Sequence, residues 1–130
     1  MFMGEYSHNL DAKGRLIIPA RFRSELKDGL ILTQGLDGCL TLYTSEAWEK
    51  IYAQLQTLPT TKSQARAFVR ILTSKACEVE IDSQGRILIP ANLIKQANIK
   101  KECVVVGAGS KVEIWAKDVW EEYMSNSEES

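Results

Sequence analysis

The residues best suited to chemistry near the start of the chain are four cations with no acidic residue among them. Within residues 13–23 these cations are Lys13, Arg15, Arg21 and Arg23. Such side chains can reach the phosphates of a nucleic acid, and an arginine guanidinium can pair with both O6 and N7 of guanine in the major groove. The spacing therefore predicts a local basic surface that suits DNA.

A second basic group lies farther along the chain and is more thinly spread. Its members are Arg86, Lys95, Lys100 and Lys101. The formal net charge of the 130-residue chain is −1, which argues against a protein coated in positive charge, so any basic surface has to be local. Because the first group is denser, we expect it to make the stronger contact with DNA.

Arg15 and Arg86 each follow a four-residue turn in a duplicated stretch. The turn begins with Asp and ends with Gly, and is called the Asp–Gly turn below. Residues 10–19 read LDAKGRLIIP and residues 81–90 read IDSQGRILIP. Asp suits the first position of a type I turn, and Gly suits the last because it tolerates a positive φ. The residues expected to structure the two loops are therefore Asp11, Gly14, Asp82 and Gly85.

Two interpretations of the loop arginines stay open. Arg15 and Arg86 either contact nucleic acid or only pair with the Asp of their own turn. A surface ion pair stabilises a fold by only ~0–1 kcal/mol, which gives little reason to need Arg in both copies. For Arg21 and Arg23, phosphate contact and an ordinary solvated helix face are equally open.

The duplication extends well beyond these ten residues. Two copies of one unit occupy about 5–50 and 77–122, and Trp48 aligns with Trp120. Two copies suggest an internal pseudo-two-fold and not a solenoid, which needs at least three repeats. We expect a single domain over 1–124, with a helical connector at about 51–76. The polar residues 125–130 are expected to form a frayed tail.

Each copy predicts the same order of elements. A strand, the Asp–Gly turn, a returning strand and a short helix come first, and two strands and a tryptophan-bearing helix follow. Pro19 and Pro90 fit the first turn of the short helices because proline cannot continue a strand ladder. Ser45 is the expected N-cap of the first tryptophan helix.

Other classes of function find little support in the sequence. His8 is the only histidine, and no phosphate-binding glycine loop or metal-ligand spacing occurs. Cys39, Cys77 and Cys103 are widely spaced and suit buried reduced thiols. No apolar run approaches the ~20 residues that span a bilayer, and the first residues do not read as a signal peptide. We expect no catalytic residues, metal, cofactor, small-molecule substrate or membrane contact, and a cytoplasmic location.

Taken together, several stretches resemble the MraZ family of bacterial transcriptional regulators. They are the opening MF-x-G, residues 10–23, 35–43 and 81–90, and KECVVVG…VEIW within 101–115. The resemblance implies an α+β fold in which two tandem AbrB-like β-hairpin/helix repeats interleave into a small swapped-hairpin barrel with flanking helices. It also implies a homo-oligomeric ring, an octamer.

The same resemblance implies a function. Double-stranded DNA would be bound through the DxxxR loops, here Asp11–Arg15 and Asp82–Arg86, at direct repeats upstream of the protein's own operon of cell-division and cell-wall genes. The protein would then be nucleoid-associated. This chain has Gln84 where the first copy has Lys13, so the two copies need not contact DNA equally.

Two alternatives to DNA binding remain. One is an AbrB-like, antitoxin-type module whose partner is another protein, and the other is a structural ring without DNA binding. Such modules usually carry one hairpin unit and a disordered partner-binding tail, whereas two units are fused here. Salt dependence separates the alternatives, because DNA affinity falls linearly with salt on logarithmic axes.

Overall fold

The computed structural model describes residues 1–129, without the side chains of residues 128 and 129. The first copy holds β1 (Phe2–Asn9), β2 (Arg15–Ile17), α1 (Ala20–Arg23), β3 (Leu30–Gln34), β4 (Leu40–Tyr43) and α2 (Ser45–Leu55). The connector contains α3 (Ser63–Ser74). The second copy holds β5 (Cys77–Val79), β6 (Arg86–Leu88), α4 (Ala91–Gln96), β7 (Glu102–Gly109), β8 (Val112–Ala116) and α5 (Lys117–Glu129).

The two copies interleave strand by strand. A six-stranded antiparallel sheet has the order β1-β7-β8-β4-β3-β5, and β2 pairs with β6 in a separate two-stranded sheet. Four of the pairings, β1–β7, β2–β6, β3–β5 and β4–β8, join one copy to the other. The α+β class and the interleaving expected from the sequence are confirmed.

The barrel expected from the resemblance is not closed in the residues that the structure describes. The six-stranded sheet has β1 and β5 at its two ends. The returning strand β2 does not continue a ladder along β1, because its partner is β6 of the other copy. Since β2 and β6 pair with each other, they do not bridge the ends of the larger sheet, which stays open.

The core lies between the small sheet, the short helices and the large sheet. Its members include Leu16 and Ile87 of the two small strands, and Ile18 and Ile89, which lie one residue after the ends of those strands. Phe22 of α1 and Leu93 of α4 are buried beside them. The rings of Phe2 and Tyr6 meet the ring of Phe22 edge-on, with centroids 5.5 and 5.3 Å apart. This packing anchors β2 and β6 on the body of the protein.

The short helices begin where the prolines predict, but the N-cap of α2 differs from the predicted residue. Pro19 and Pro90 are the N-cap residues of α1 and α4, so the short helices begin directly after them. The N-cap of α2 is Thr44 and not Ser45: the Thr44 hydroxyl accepts a hydrogen bond from the backbone N–H of Ala47 at 3.1 Å. Two hydroxyl residues stand side by side here, and the one with the extended backbone makes the cap.

The tryptophan of each copy packs on an aromatic residue of the preceding strand. Trp48 lies 5.8 Å from Tyr43, and Trp120 lies 5.2 Å from Trp115, between ring centroids. The helix that carries Trp120 continues to Glu129, so residues 125–129, expected to be frayed, are helical, while residue 130 lies outside the described residues. Each residue added to an established helix gains a backbone hydrogen bond, which favours this extension despite the polar sequence.

Candidate nucleic-acid interface

Strands β2 and β6 form a short antiparallel ribbon at the centre of the candidate site. Leu16 lies opposite Ile87 and both are fully buried. Side chains alternate between the two faces of a strand, and residues directly opposite share a face. Consequently the outward face carries two cross-strand pairs, Arg15 with Leu88 and Ile17 with Arg86. Both loop arginines thus project from one side of one ribbon.

The first loop is organised by the carboxylate of Asp11. Its Oδ1 accepts hydrogen bonds from the backbone N–H groups of Lys13 at 2.9 Å and Arg15 at 2.8 Å. Its Oδ2 accepts one from Nε of Arg15 at 2.7 Å. The Gly14 N–H closes the turn on the Asp11 carbonyl at 3.0 Å, and Gly14 has a φ of 82°, where a side chain would be strained.

The second loop repeats this arrangement. Oδ1 of Asp82 accepts from the backbone N–H groups of Gln84 and Arg86, both at 2.9 Å, and Oδ2 accepts from Nε of Arg86 at 2.9 Å. Gly85 closes the turn on Asp82 at 3.0 Å with a φ of 80°. The two loops are therefore copies in geometry as well as in sequence.

These contacts keep both carboxylates charged. The pKa of Asp11 lies below its ordinary value of 3.8, mainly because the backbone N–H of Arg15 donates to the carboxylate, with the Arg15 guanidinium and the Lys13 N–H adding to the effect. The pKa of Asp82 is lowered in the same way, with the backbone N–H of Arg86 as the main cause. At neutral pH each ionised Asp therefore holds the Nε side of its arginine.

The far edge of each guanidinium has no side-chain hydrogen-bond partner among the described residues. Within the described residues, Arg15 and Arg86 use only Nε in side-chain hydrogen bonds, so Nη1 and Nη2 have no protein partner. Those two nitrogens form the fork that grips a phosphate or a base edge with two hydrogen bonds. The Asp–Arg pair and a nucleic-acid contact, which sequence reasoning set against each other, are geometrically compatible.

The remaining basic residues of the first group do not all lie at the first loop. Lys13 is exposed at the tip of that loop, and Arg21 is exposed on α1. Arg23 lies against the second loop: its Nη1 occupies the space that a Cβ at Gly85 would fill. The dense cluster expected over residues 13–23 is therefore divided between the two loops.

Each turn is covered by the short helix of the other copy. Ile94 of α4 approaches Gly14, just as Arg23 of α1 approaches Gly85. Backbone hydrogen bonds of 2.8 Å reinforce the exchange, from Ile18 N–H to the Gly85 carbonyl and from Ile89 N–H to the Gly14 carbonyl. Both loops are thus fixed by the same swapped arrangement, but with different neighbouring side chains.

Two residues of the outward face were missed by sequence reasoning. The sequence predicts only a returning strand at Ile17 and Leu88, yet 42% of Ile17 and 59% of Leu88 is exposed. They occupy equivalent positions in the two copies. The signal for them was the alternation of inward and outward positions along each strand, which is decisive only once β2 is known to pair with β6.

The other chemistry-bearing side chains do not gather into a site. In the described part of the chain, no group of His, Cys, Asp and Glu is arranged to hold a metal ion. All three cysteines are free, and burial raises the pKa of Cys39 to about 12 and of Cys103 to about 11. Cys77 is half-buried and its pKa is also raised. No helix within residues 1–129 is both long and apolar enough to cross a membrane.

Comparison with known proteins gives a consistent result over the whole chain. The family model described as "MraZ protein, putative antitoxin-like" matches twice, over residues 1–71 and 72–130, which confirms the internal duplication. A protein of Thermoanaerobacter pseudethanolicus named "Transcriptional regulator MraZ" is 56% identical over all 130 residues, which cover 91% of that relative. A protein of the same name from Thermoanaerobacter sp. strain X514 is 55% identical over the same shares of both chains.

Proposed function

The chain belongs to the MraZ family, and from that premise we propose that it regulates transcription by binding double-stranded DNA through the outward face of the β2–β6 ribbon. The family is named for regulation and not for catalysis, so the protein is not an enzyme. The observation that carries the proposal is the pair of loop arginines on one ribbon face, each held at Nε with its Nη fork unused.

The dimensions of the ribbon suit the major groove of B-DNA. That groove is about 12 Å wide and admits a two-stranded β-ribbon. Strand residues rise about 3.3 Å and neighbouring strands lie about 4.8 Å apart, so the four outward side chains fill a patch well within that width. Arg15 and Arg86 stand on opposite strands of the patch, which lets one ribbon grip the duplex at two points.

The other basic residues supply contacts that do not depend on sequence. Lys13 at the first loop, and Arg21 and Arg23 on the short helix that follows β2, would bind backbone phosphates. Phosphate contacts fix the orientation of a protein on the duplex, whereas base contacts specify the sequence. We assign the base-reading role to Arg15 and Arg86 and the orienting role to the other three.

A single ribbon would bind weakly, so we propose that several copies act together in a ring, an octamer. Non-specific contacts of a few phosphates have a Kd of about 10⁻⁴–10⁻⁶ M, and linking several contacts raises the effective concentration of each one after the first. A head-to-tail ring presents every ribbon in the same sense, which suits direct repeats upstream of the protein's own operon. The protein would then be cytoplasmic and nucleoid-associated.

One exposed apolar groove is suited to contacts between copies. A groove of about 380 Å³ lies between α2, α3 and the β3–β4 turn, and the exposed side chains of Leu36, Phe68 and Ile71 line it. Apolar surface of this kind is typical of protein–protein contacts. The groove would equally serve an antitoxin-type protein partner, the alternative function that the family description names.

Titration against DNA tests the proposed function. The full chain is mixed with a duplex of the sequence upstream of its own gene and with a scrambled duplex of equal composition, at several salt concentrations. We expect preference for the upstream duplex and a linear fall of log K with log salt of about 0.9 per phosphate neutralised. Equal affinity for both duplexes, or affinity independent of salt, would contradict the proposal.

Arg70→Ala is the matched control for arginine substitutions in this assay. Arg70 is exposed on α3, which packs on β3 through the hydrogen bond from the Thr33 hydroxyl to the Leu72 carbonyl and not on the ribbon. We expect this variant to bind the upstream duplex as the unaltered chain does. Light scattering of the same samples gives the number of subunits, so that a change of assembly is not mistaken for a change of DNA contact.

A further inference from the structure

The outward face of the β2–β6 ribbon exposes two aliphatic side chains among its arginines. Ile17 lies directly opposite Arg86, and Leu88 lies directly opposite Arg15. Ile17 and Leu88 are equivalent positions of the duplicated unit, so each copy places one exposed aliphatic residue two positions after its loop arginine. The pattern on the patch is arginine and aliphatic residue in alternation, along each strand and across the ribbon.

Neither aliphatic residue is needed by the core. The inward positions of the ribbon are already filled by Leu16 and Ile87, which are fully buried. A need for strand-forming residues does not account for both outward positions either, because leucine is not among the residues enriched in strands. The exposure of Leu88, at 59%, leaves most of that side chain in water. A ligand that covers the patch is the simplest reason for keeping it apolar.

The charge of the patch favours a nucleic acid over a second copy of the chain as that ligand. Arg15 and Arg86 flank the two aliphatic side chains, and the acids of the two loops, Asp11 and Asp82, are already engaged by those arginines. Glu78 of β5 and Glu80, which follows that strand, line a depression beside Leu88, at the margin of the patch. Packing one such patch on another would bring four guanidinium groups together, which like-charge repulsion opposes. A polyanion with apolar groups on its exposed edges fits the same surface without that penalty.

The thymine methyl group is the apolar feature that DNA offers in the major groove, and aliphatic side chains contact it. Residues i and i+2 of a strand lie about 6.7 Å apart, close to two base-pair steps of 3.4 Å. An aliphatic residue two positions after a base-reading arginine is therefore in register to meet a base two steps away. Because the two spacings match, the arginine and the aliphatic residue of one strand can contact bases two steps apart in the same site.

We propose that Ile17 and Leu88 contact thymine C5-methyl groups in the major groove and so determine part of the sequence specificity of the ribbon. The inference rests on the proposed DNA-binding function and deepens it. It assigns recognition of thymine near the base held by each arginine to two residues that carry no charge and no hydrogen-bonding group.

Replacing thymine by deoxyuracil tests the assignment, because it removes only the C5-methyl group. The full chain and the double variant Ile17→Ser/Leu88→Ser are titrated against the upstream duplex made with thymine or with deoxyuracil. We expect the unaltered chain to bind the thymine duplex about fourfold more tightly for each C5-methyl group that the ribbon covers, from the transfer free energy of one buried methylene-sized group. The double variant should bind both duplexes equally.

Met3→Ser is the matched control, because Met3 is an exposed apolar residue of β1 and lies outside the ribbon. This variant should keep the preference for thymine. Thermal unfolding of all variants excludes misfolding as the cause of any change, and exposed positions are expected to tolerate serine.

The possible outcomes distinguish this inference from the proposed DNA-binding function on which it rests. If the unaltered chain prefers the upstream duplex but binds its thymine and deoxyuracil forms equally, methyl recognition is wrong while DNA binding stands. The same conclusion follows if the double variant still discriminates as the unaltered chain does. If the double variant instead loses subunits in light scattering, the patch is a contact between copies. Failure of the unaltered chain to prefer the upstream duplex would overturn both proposals.

Discussion

The loops at residues 11–15 and 82–86 have the same internal geometry and different surroundings. In both, one carboxylate oxygen accepts two backbone N–H groups and the other accepts Nε of the arginine, at 2.7 Å in the first loop and 2.9 Å in the second. The first loop has Lys13 where the second has Gln84. The side chain of Arg15 is 31% exposed and that of Arg86 is 21% exposed.

The neighbours of the two turns differ because the copies exchange their helices. Ile94 covers the turn of the first loop, whereas Arg23 covers the turn of the second. Arg23 therefore gives the second loop a neighbouring cation, whereas the loop's own sequence has Gln84 and no lysine. The charge of a loop in an interleaved fold consequently has to be counted in space and not along the chain.

Loss of the more exposed arginine should have the largest effect. We expect Arg15→Ala to weaken binding to the upstream duplex by at least about a hundredfold, because a bidentate base contact contributes ~1–3 kcal/mol and the loss recurs in every subunit. Fluorescence anisotropy measures the affinity, and light scattering should show an unchanged assembly. Undiminished affinity would remove the first loop from the mechanism.

Loss of the second arginine should have a smaller effect. We expect Arg86→Ala to weaken binding about tenfold in the same assay, since this side chain is less exposed than that of Arg15 and Arg23 leaves another cation at the same loop. Gln84→Lys, which gives the second loop the cation of the first, should strengthen binding and raise the salt dependence by about 0.9. A greater loss from Arg86→Ala than from Arg15→Ala would reverse the ranking of the loops.

Loss of Arg23, the cation that α1 brings to the second loop, should weaken DNA binding less than loss of either loop arginine. We expect Arg23→Ala to weaken binding about three- to fivefold and to lower the slope of log K against log salt by about 0.9, as removal of one phosphate contact does. Its effect should not add to that of Arg86→Ala, because both residues serve the second loop. Arg21→Ala, on the same helix, is the comparison for loss of a cation that does not contact Gly85. If the effect of Arg23→Ala added to that of Arg86→Ala but not to that of Arg15→Ala, the assignment of Arg23 to the second loop would be wrong.

The shared part of the two loops should respond to acid in the same way. The pKa values of Asp11 and Asp82 are lowered in the folded chain, so each carboxylate stabilises the fold fully above the unfolded value near 3.8. That contribution is lost as the pH falls through the lowered values. We expect a steady thermal midpoint between pH 5 and 7 and a decline below pH 4.

Asn in place of either Asp separates charge from turn geometry. Asp11→Asn and Asp82→Asn keep an oxygen that can accept the two backbone N–H groups but lose the ionic partner of the arginine. We expect each variant to have a slightly lower midpoint at pH 7 and a shallower decline in acid, by equal amounts in the two loops. A response confined to one loop would show that their common geometry does not decide their stability.

Much of the fold could be predicted because its signals are local. The duplicated motif, the Asp–Gly turns and the prolines before α1 and α4 mark elements through nearest-neighbour chemistry. The position of Arg23 could not be predicted in this way. It follows from pairing between strands about seventy residues apart, and no local pattern fixes such pairing.

The candidate site likewise contains features that the local sequence predicts and features that only long-range strand pairing decides. Asp11 and Arg15 are four residues apart, so their ion pair could be foreseen from turn chemistry. The outward placement of Ile17 and Leu88 could not, because each strand is one arginine followed by two aliphatic residues, and three residues are too few for an alternation that shows which aliphatic residue is buried. That choice is made by the partner strand and by the body on which the ribbon packs.

A structure of the full chain bound to the duplex from upstream of its gene would decide whether the ribbon is the DNA-binding surface. We predict the β2–β6 ribbon in the major groove, with Nη atoms of Arg15 and Arg86 from the same subunit within about 3 Å of base edges or phosphates. A complex in which the duplex lies on another face, with both ribbon arginines in water, would contradict this assignment.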